Sequence, residues 1–170
     1  MDAVGELYDQ HQLSIFRYTL SRVGDRHTAE DLTGEVFLRM VKGLPNYRPM
    51  QIPFRGWLFR IAHNLVVDHY RKHRSPAPVA IEEAELKGEP EGDPLDALER
   101  SINIERLQEV MSRIDPGQCD VLVLRFLSGL SVRETAGAVG KSEAAVKALQ
   151  HRGLAALRDL LSRPSGKVSK

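Results

Sequence analysis

The chain has 170 residues, 42% of them hydrophobic, with 24 Lys+Arg against 23 Asp+Glu and a formal net charge of +1. That is apolar material for one globular domain or two small ones, and it excludes a molecule whose overall field gathers nucleic acid or membrane; polyanion binding must come from local segregation of charge. One cysteine, Cys119, no apolar run near the ~18 residues of a membrane span and no leader-like block in MDAVGELYDQ point to a cytoplasmic protein without membrane insertion, its thiol buried in CDVLVLRFL.

Helical periodicity runs through nearly the whole chain and strand-like alternation is absent over any useful length, so the expected fold is all-α. Val4, Leu7, Tyr8, Ile15, Phe16 and Leu20 predict one or two amphipathic helices up to Val23, broken by Gly24 and Asp25. Thr28 with Asp31 three residues on reads as a capping-box-like start. The helix that follows runs through Leu32, Val36, Phe37 and Met40 and stops at Gly43, with Pro45 beyond. Leu44 to Pro53, punctuated by Pro45, Pro49 and Pro53, predicts a loop.

The next segment, Phe54 to Arg74, reads FRGWLFRIAHNLVVDHYRKHR. Trp57, Leu58, Ile61, Ala62, Leu65 and Val66 share one helical face and form a core stripe. Arg55, Arg60, His63, Asn64, His69, Arg71 and Lys72 are left on the other faces, beside exposed-looking Phe54, Trp57 and Phe59. A basic face with neighbouring rings suits single-stranded nucleic acid, because charge tracks phosphate and rings stack on unpaired bases. A buried aromatic cluster with a solvated basic tail is the equal alternative. His69 and His73 stand four apart, but no third metal ligand lies nearby, which favours phosphate contact or solvation.

SPAPVAIEEAELKGEPEGDP, from Ser75 to Pro94, has four prolines, two glycines and a surplus of acids, the composition of an extended linker. It divides the chain into segments 1–74, 75–97 (acidic linker), 98–163 and a tail 164–170. Fully extended, its twenty residues reach roughly 70 Å, some twenty base-pair steps of duplex, so two heads joined this way reach DNA sites about two turns apart.

In the second segment Leu98, Ile102, Leu107, Val110 and Ile114 predict a helix ended by Asp115-Pro116-Gly117, and Gln118 to Leu127 another. Ser131 with Glu134 predicts a capping box for a short helix on Val132, Thr135, Ala136 and Val139. Gly140 supplies a left-handed turn, and Ser142 caps a longer helix starting at Glu143. A short helix, a glycine turn and a longer helix form a helix-turn-helix, whose second helix enters the major groove. Lys147, Gln150, His151 and Arg152 are its candidate contacts to phosphates and base edges, with Ser142 and Glu143 at the helix start, Glu143 able to accept from cytosine or simply to suit the helix dipole; an ordinary helical hairpin bearing a solvated basic face is the alternative.

AEDLTGEVFLRMVKGLPNYR, then FRGWLFRIAHNLVVDHYRKHR, an acidic linker, and LVLRFLSGLSVRETAGAVGKSEAAVKALQHRGLAALR together resemble the extracytoplasmic-function group of the sigma-70 family of transcription initiation factors, over about Leu7 to Leu161. The resemblance implies two small helical domains joined by a flexible linker. It implies that Asp31, Leu32, Glu35, Phe37 and Leu38 contact the beta-prime clamp of core RNA polymerase, and that the second domain meets the beta flap. It also assigns Tyr47, Arg48, Phe54, Arg55, Trp57, Arg60, His63, Asn64, Arg71 and Lys72 to recognition and melting of the promoter −10 element, with the helix-turn-helix reading the −35 element. An inhibitory anti-sigma partner is common in the family; no cofactor or metal is implied. Three departures stand out. Gly34 replaces a common Gln, Pro49 and Pro53 alter the loop after Tyr47, and Leu149 stands where Arg is frequent in the reading helix.

Two other functions are weighed against this one. A duplex-reading regulator using only the second segment, with the first as a dimerisation or sensory domain, has no use for the aromatic and basic stretch from Tyr47 to Arg74. An enzyme lacks support: the sequence shows no glycine-rich phosphate loop, no serine elbow and no cysteine paired into a metal site.

Overall fold

The computed structural model describes residues 3–73 and 105–163. The acidic linker, the start of the second segment at Leu98 and Ile102, and the 164–170 tail lie outside the described residues. Among those described there is no strand, in line with an all-α fold.

The first module is three helices. The apolar set up to Val23 forms one helix, α1 (Ala3–Val23), closed by Gly24 at φ +76°, whose N–H bonds to the Leu20 carbonyl. Helix α2 (Arg26–Gly43) starts three residues before the expected position. Its cap is Asp25, not Thr28: the Asp25 carboxylate accepts from the Thr28 N–H at 2.8 Å and the Thr28 hydroxyl at 2.7 Å. A carboxylate outranks Thr as a cap and faces the positive end of the helix dipole. The hydrogen bonds from Thr28 hold the Asp25 carboxyl below its ordinary pKa. Gly43 ends α2 without the left-handed turn, and the chain runs on as a 3₁₀ turn, Leu44–Asn46, with Pro45 at its start, inside the stretch expected to be loop.

Helix α3 (Phe54–His73) buries Leu58, Phe59, Ala62, Leu65 and Val66, while Trp57 and Ile61 are half-buried. Phe59, expected among exposed aromatics, is wholly buried and meets the Tyr18 ring edge-on at 5.6 Å.

The second module opens with helical residues 105–111 (α4). Asp115-Pro116-Gly117 begins a helix as well as ending one. Asp115 accepts from the Gly117 and Gln118 N–H groups, and Pro116 takes the first position of α5 (Pro116–Leu122), ahead of the expected Gln118. Val123–Leu127 continues as a π-turn. In α6 (Val132–Val139) both bonds of the capping box form: Ser131 Oγ accepts from Glu134 N–H at 3.0 Å, and Glu134 Oε1 accepts from Ser131 N–H at 2.8 Å. Gly140 is left-handed at φ +72°, and Ser142 caps α7 (Glu143–Leu161) through Ala145 N–H.

Packing does not stop at the module boundary. Helix α1 lies on α2, α2 on α3, and α5 and α6 on α7, but the most extensive helix contact is α3 with α6. One apolar cluster includes Ile15, Tyr18, Val36, Met40, Leu58 and Phe59 from the first module and Met111, Ile114, Leu122, Leu124, Leu130 and Ala138 from the second. A smaller cluster of Val121, Ala136 and Val146, with Leu149 against it, holds α6 and α7 in register. Cys119 is buried as expected, and burial raises its thiol pKa. No helix among the described residues is long and apolar enough to cross a membrane.

Candidate nucleic-acid interface

The bend between α2 and α3 is held by aromatic rings. Tyr47 stacks on Trp57 with centroids 4.7 Å apart, and Phe54 meets Tyr47 edge-on at 5.8 Å and Trp57 at 5.7 Å. His11 reaches over from α1 to 5.4 Å from Phe54. The Tyr47 hydroxyl donates to the Ile52 carbonyl at 2.6 Å, closing the bend on itself. Beside these rings lies a cleft of about 280 Å³ lined by Asn46, Tyr47, Arg48, Gln51, Trp57 and Arg60, among others. Its walls offer ring faces for stacking, two guanidinium groups for phosphate and two amides that each donate and accept.

On the outer side of α3, Arg60, Asn64 and Arg71 are exposed at spacings that share one face, with Lys72 exposed beside them. Arg71 also pairs with Asp68 at 3.4 Å. Two residues expected on that face are placed elsewhere. His63 is half-buried, its Nδ1 3.4 Å from the Tyr18 hydroxyl, and burial lowers its pKa, so the neutral ring is favoured. Arg55 turns toward the second module, donating to the Ser128 carbonyl at 2.9 Å and the Gly129 carbonyl at 3.2 Å and lying 3.6 Å from the Glu134 carboxylate.

In the helix-turn-helix, Ser142, Glu143, Lys147, His151 and Arg152 are exposed along α7. Gln150 is half-buried, its Oε1 accepting from Arg125 Nε at 2.8 Å, while Arg125 Nη1 donates to the Leu130 carbonyl. Gln150 therefore belongs to the frame that fixes α7 against the preceding turn. Leu149, standing where the family often has Arg, packs on the α6–α7 core and is no part of the outward face.

Along α2, Asp31 and Leu38 are exposed, Leu32 is half-buried, and Glu35 accepts from Arg39 at 3.0 Å. Phe37 is buried, its ring 4.9 Å from Tyr8. Its role is to seat α2 on α1 so that Asp31, Leu38 and the exposed Val41 point outward. A Cβ placed on Gly34 would meet no atom within 4 Å, so a larger side chain would fit at this exposed position.

Sequence reasoning missed His11, the amides of Asn46 and Gln51, and a buried ion pair, Arg22 Nη2 to Asp120 Oδ1 at 2.9 Å, that joins the two modules. The only signals for the module contact were glycines inside helical patterns, at Gly56 and Gly137.

Two family models match the chain: Sigma-70 region 2 over residues 7–75 and Sigma-70, region 4 over residues 104–157. The ECF RNA polymerase sigma factor BldN of Streptomyces coelicolor is 41% identical over 160 residues, covering 94% of this chain and 61% of the relative, so the chain spans about three fifths of that protein. The ECF RNA polymerase sigma factor ShbA of Streptomyces griseus is 35% identical over 159 residues, covering 88% of this chain and 82% of the relative. Among solved structures, the sigma factor RpoE of Bartonella quintana, in complex with the anti-sigma factor NepR, shares the fold with a TM-score of 0.68, 18% identity and coverage of 94% of this chain and 98% of that one. Both conserved regions, in order, and relatives matched over most of their length place this chain in the family of ECF RNA polymerase sigma factors.

Proposed function

We propose that the chain is a dissociable, non-catalytic initiation factor that binds core RNA polymerase through the exposed face of α2, recognises the −35 element through α7, and nucleates melting at the −10 element. The observation that carries this reading is the ring-lined cleft of Tyr47, Trp57, Arg48 and Arg60 at the head of a basic helix, in one chain with a fully capped helix-turn-helix. A protein that reads only duplex needs the second of these and has no use for the first.

The mechanism follows from differential binding. A base extruded from the duplex costs a few kcal/mol of unstacking, which stacking and hydrogen bonding in the cleft offset. Because the cleft takes only the unpaired form, binding and opening of the duplex are a single equilibrium shifted toward the melted state. Arg60, Asn64, Arg71 and Lys72 then track the phosphates of the displaced strand along α3. An anti-sigma factor, of the kind bound to the RpoE structure, is the expected inhibitory partner.

Run-off transcription with core polymerase, paired with permanganate footprinting of unpaired thymines, tests the reading. Transcripts and reactive thymines near −10 are the expected result. Tight binding to bare duplex with neither transcripts nor reactive thymines would sink it.

A further inference from the structure

We infer that the groove between α1 and α2 is a socket for one large apolar side chain carried on a helix of core RNA polymerase, so that the polymerase contact reaches past α2 onto Leu13 and Phe16 of α1. This rests on the reading above, in which the exposed face of α2 binds core polymerase, and it names what that face receives. The groove holds about 390 Å³, with Tyr8, Gln12, Leu13 and Phe16 along its α1 wall and Thr33 and Gly34 on its α2 wall. A Cβ added to Gly34 would meet no atom within 4 Å. The groove therefore stands open where a longer side chain at position 34 would crowd its mouth.

The chemistry of the walls selects the occupant. Thr33 donates its hydroxyl to the Ala29 carbonyl at 2.7 Å and lies 3.0 Å from the Thr19 hydroxyl, so it turns no free polar group toward a ligand. Arg26, at one end of the groove, lies over the Phe16 ring at 5.2 Å and pairs with Glu30 at 3.7 Å. An anion would meet Glu30 beside Arg26; an apolar side chain would meet Tyr8, Leu13 and Phe16. Farther along α2 the charges are partnered within the helix, His27 with Asp31 at 4.0 Å and Arg39 with Glu35 at 3.0 Å. Shape and apolar burial are what this surface has left to offer a partner.

The groove is also continuous with the face that reads as the polymerase contact. Leu38 and Val41 follow Gly34 at four and seven residues, the spacing of one helical stripe, and are 57% and 46% exposed. Across the groove Tyr8 and Leu13 are 46% and 51% exposed. Large apolar groups this exposed on two adjacent helices mark a contact surface. A stripe at i, i+4 and i+7 beside a groove is the pattern an amphipathic helix fills, with one side chain anchored in the groove and the others along the stripe.

Filling the groove tests this without weakening the fold. Glycine is destabilising inside a helix, so Gly34→Ala, Gly34→Gln and Gly34→Phe should each raise the melting midpoint. Equilibrium binding of the fluorescently labelled chain to purified core polymerase should weaken across the same series, by roughly ten-fold for Gly34→Phe and by less for Gln and then Ala. Leu13→Ala, which shortens an exposed wall, should weaken binding by roughly five-fold. A Gly34→Gln chain that binds as tightly as the wild type, or more tightly, would mean that a side chain at 34 adds contact instead of blocking it, and would overturn the socket. Undiminished binding by Gly34→Phe would do the same. Wild-type chain that self-associates in sedimentation, and becomes monomeric with Gly34→Phe, would give the groove to a second copy and overturn the assignment to polymerase. Wild-type chain with no affinity for core polymerase would instead overturn the functional reading.

Discussion

At the scale of single residues, Tyr47, Trp57 and His63 separate two kinds of polar and aromatic group, one facing a cleft and one facing the interior. Trp57 is half-buried and stacked on Tyr47, so its outer face is the one a base can use. Base–aromatic stacking contributes about 1–3 kcal/mol, so Trp57→Ala is expected to cut open-complex formation roughly ten-fold or more, read by permanganate reactivity, while binding to core polymerase holds. Tyr47→Phe keeps the ring and removes only the bond to the Ile52 carbonyl, a loss of about 1 kcal/mol, and should reduce melting by less than Trp57→Ala. His63 differs, because its environment is interior. Burial lowers its pKa below the ordinary value of 6.5, as burial and Arg55 lower that of His11, so the unfolded chain binds more protons than the folded one. Stability from these rings is therefore fully present above pH 6.5 and is lost as pH falls below it. His63→Gln should flatten that decline in a series of unfolding midpoints between pH 7 and 5; an unchanged slope would show that the ring does not titrate with folding.

Elements differ in how far their determinants are local, and that decides what could be read in advance. The helix-turn-helix was legible down to single residues because its capping box, left-handed Gly140 and Ser142 cap are each set within three or four positions. The start of α2 was misplaced because two cap-competent residues, Asp25 and Thr28, stand three apart and the pattern does not rank them. Phe59 and His63 were misread because Tyr18, the residue that covers or contacts them, is more than forty positions away. The Gly56–Gly137 crossing left only two glycines inside helical patterns, a signal that does not say which helices meet. The locality of the caps can be tested on Glu134, which both closes the capping box and faces Arg55. Ser131→Ala should cost about 1 kcal/mol and lower the melting midpoint by about 2–4 °C. Glu134→Gln keeps a side-chain acceptor for the Ser131 N–H and loses only a long, partly buried ion pair at 3.6 Å, so it should cost about 1 kcal/mol or less.

For the molecule as a whole, the question is whether two sequence modules behave as one folding unit. The apolar cluster that runs from Ile15 and Phe59 into Leu122 and Leu130 says that they do, since neither module buries that surface alone. Its weak point is Arg22, almost fully buried, with Asp120 as its charge partner and no hydrogen-bond partner for Nε among the described residues. Asp120→Asn leaves that guanidinium without a counter-charge. A rigid interface would lose about 3 kcal/mol, the low end for a broken buried pair because Asp120 keeps 21% of its side chain exposed. If the modules part before either unfolds, Arg22 regains water and the cost is capped at the free energy that holds the two modules together. Calorimetry distinguishes the two. The wild-type chain should unfold in one transition, and Asp120→Asn should split it into two, with the first module's midpoint lowered because its half of the shared cluster has lost its cover. A single transition shifted downward by the full cost of the broken pair would mean that the seam never opens short of unfolding.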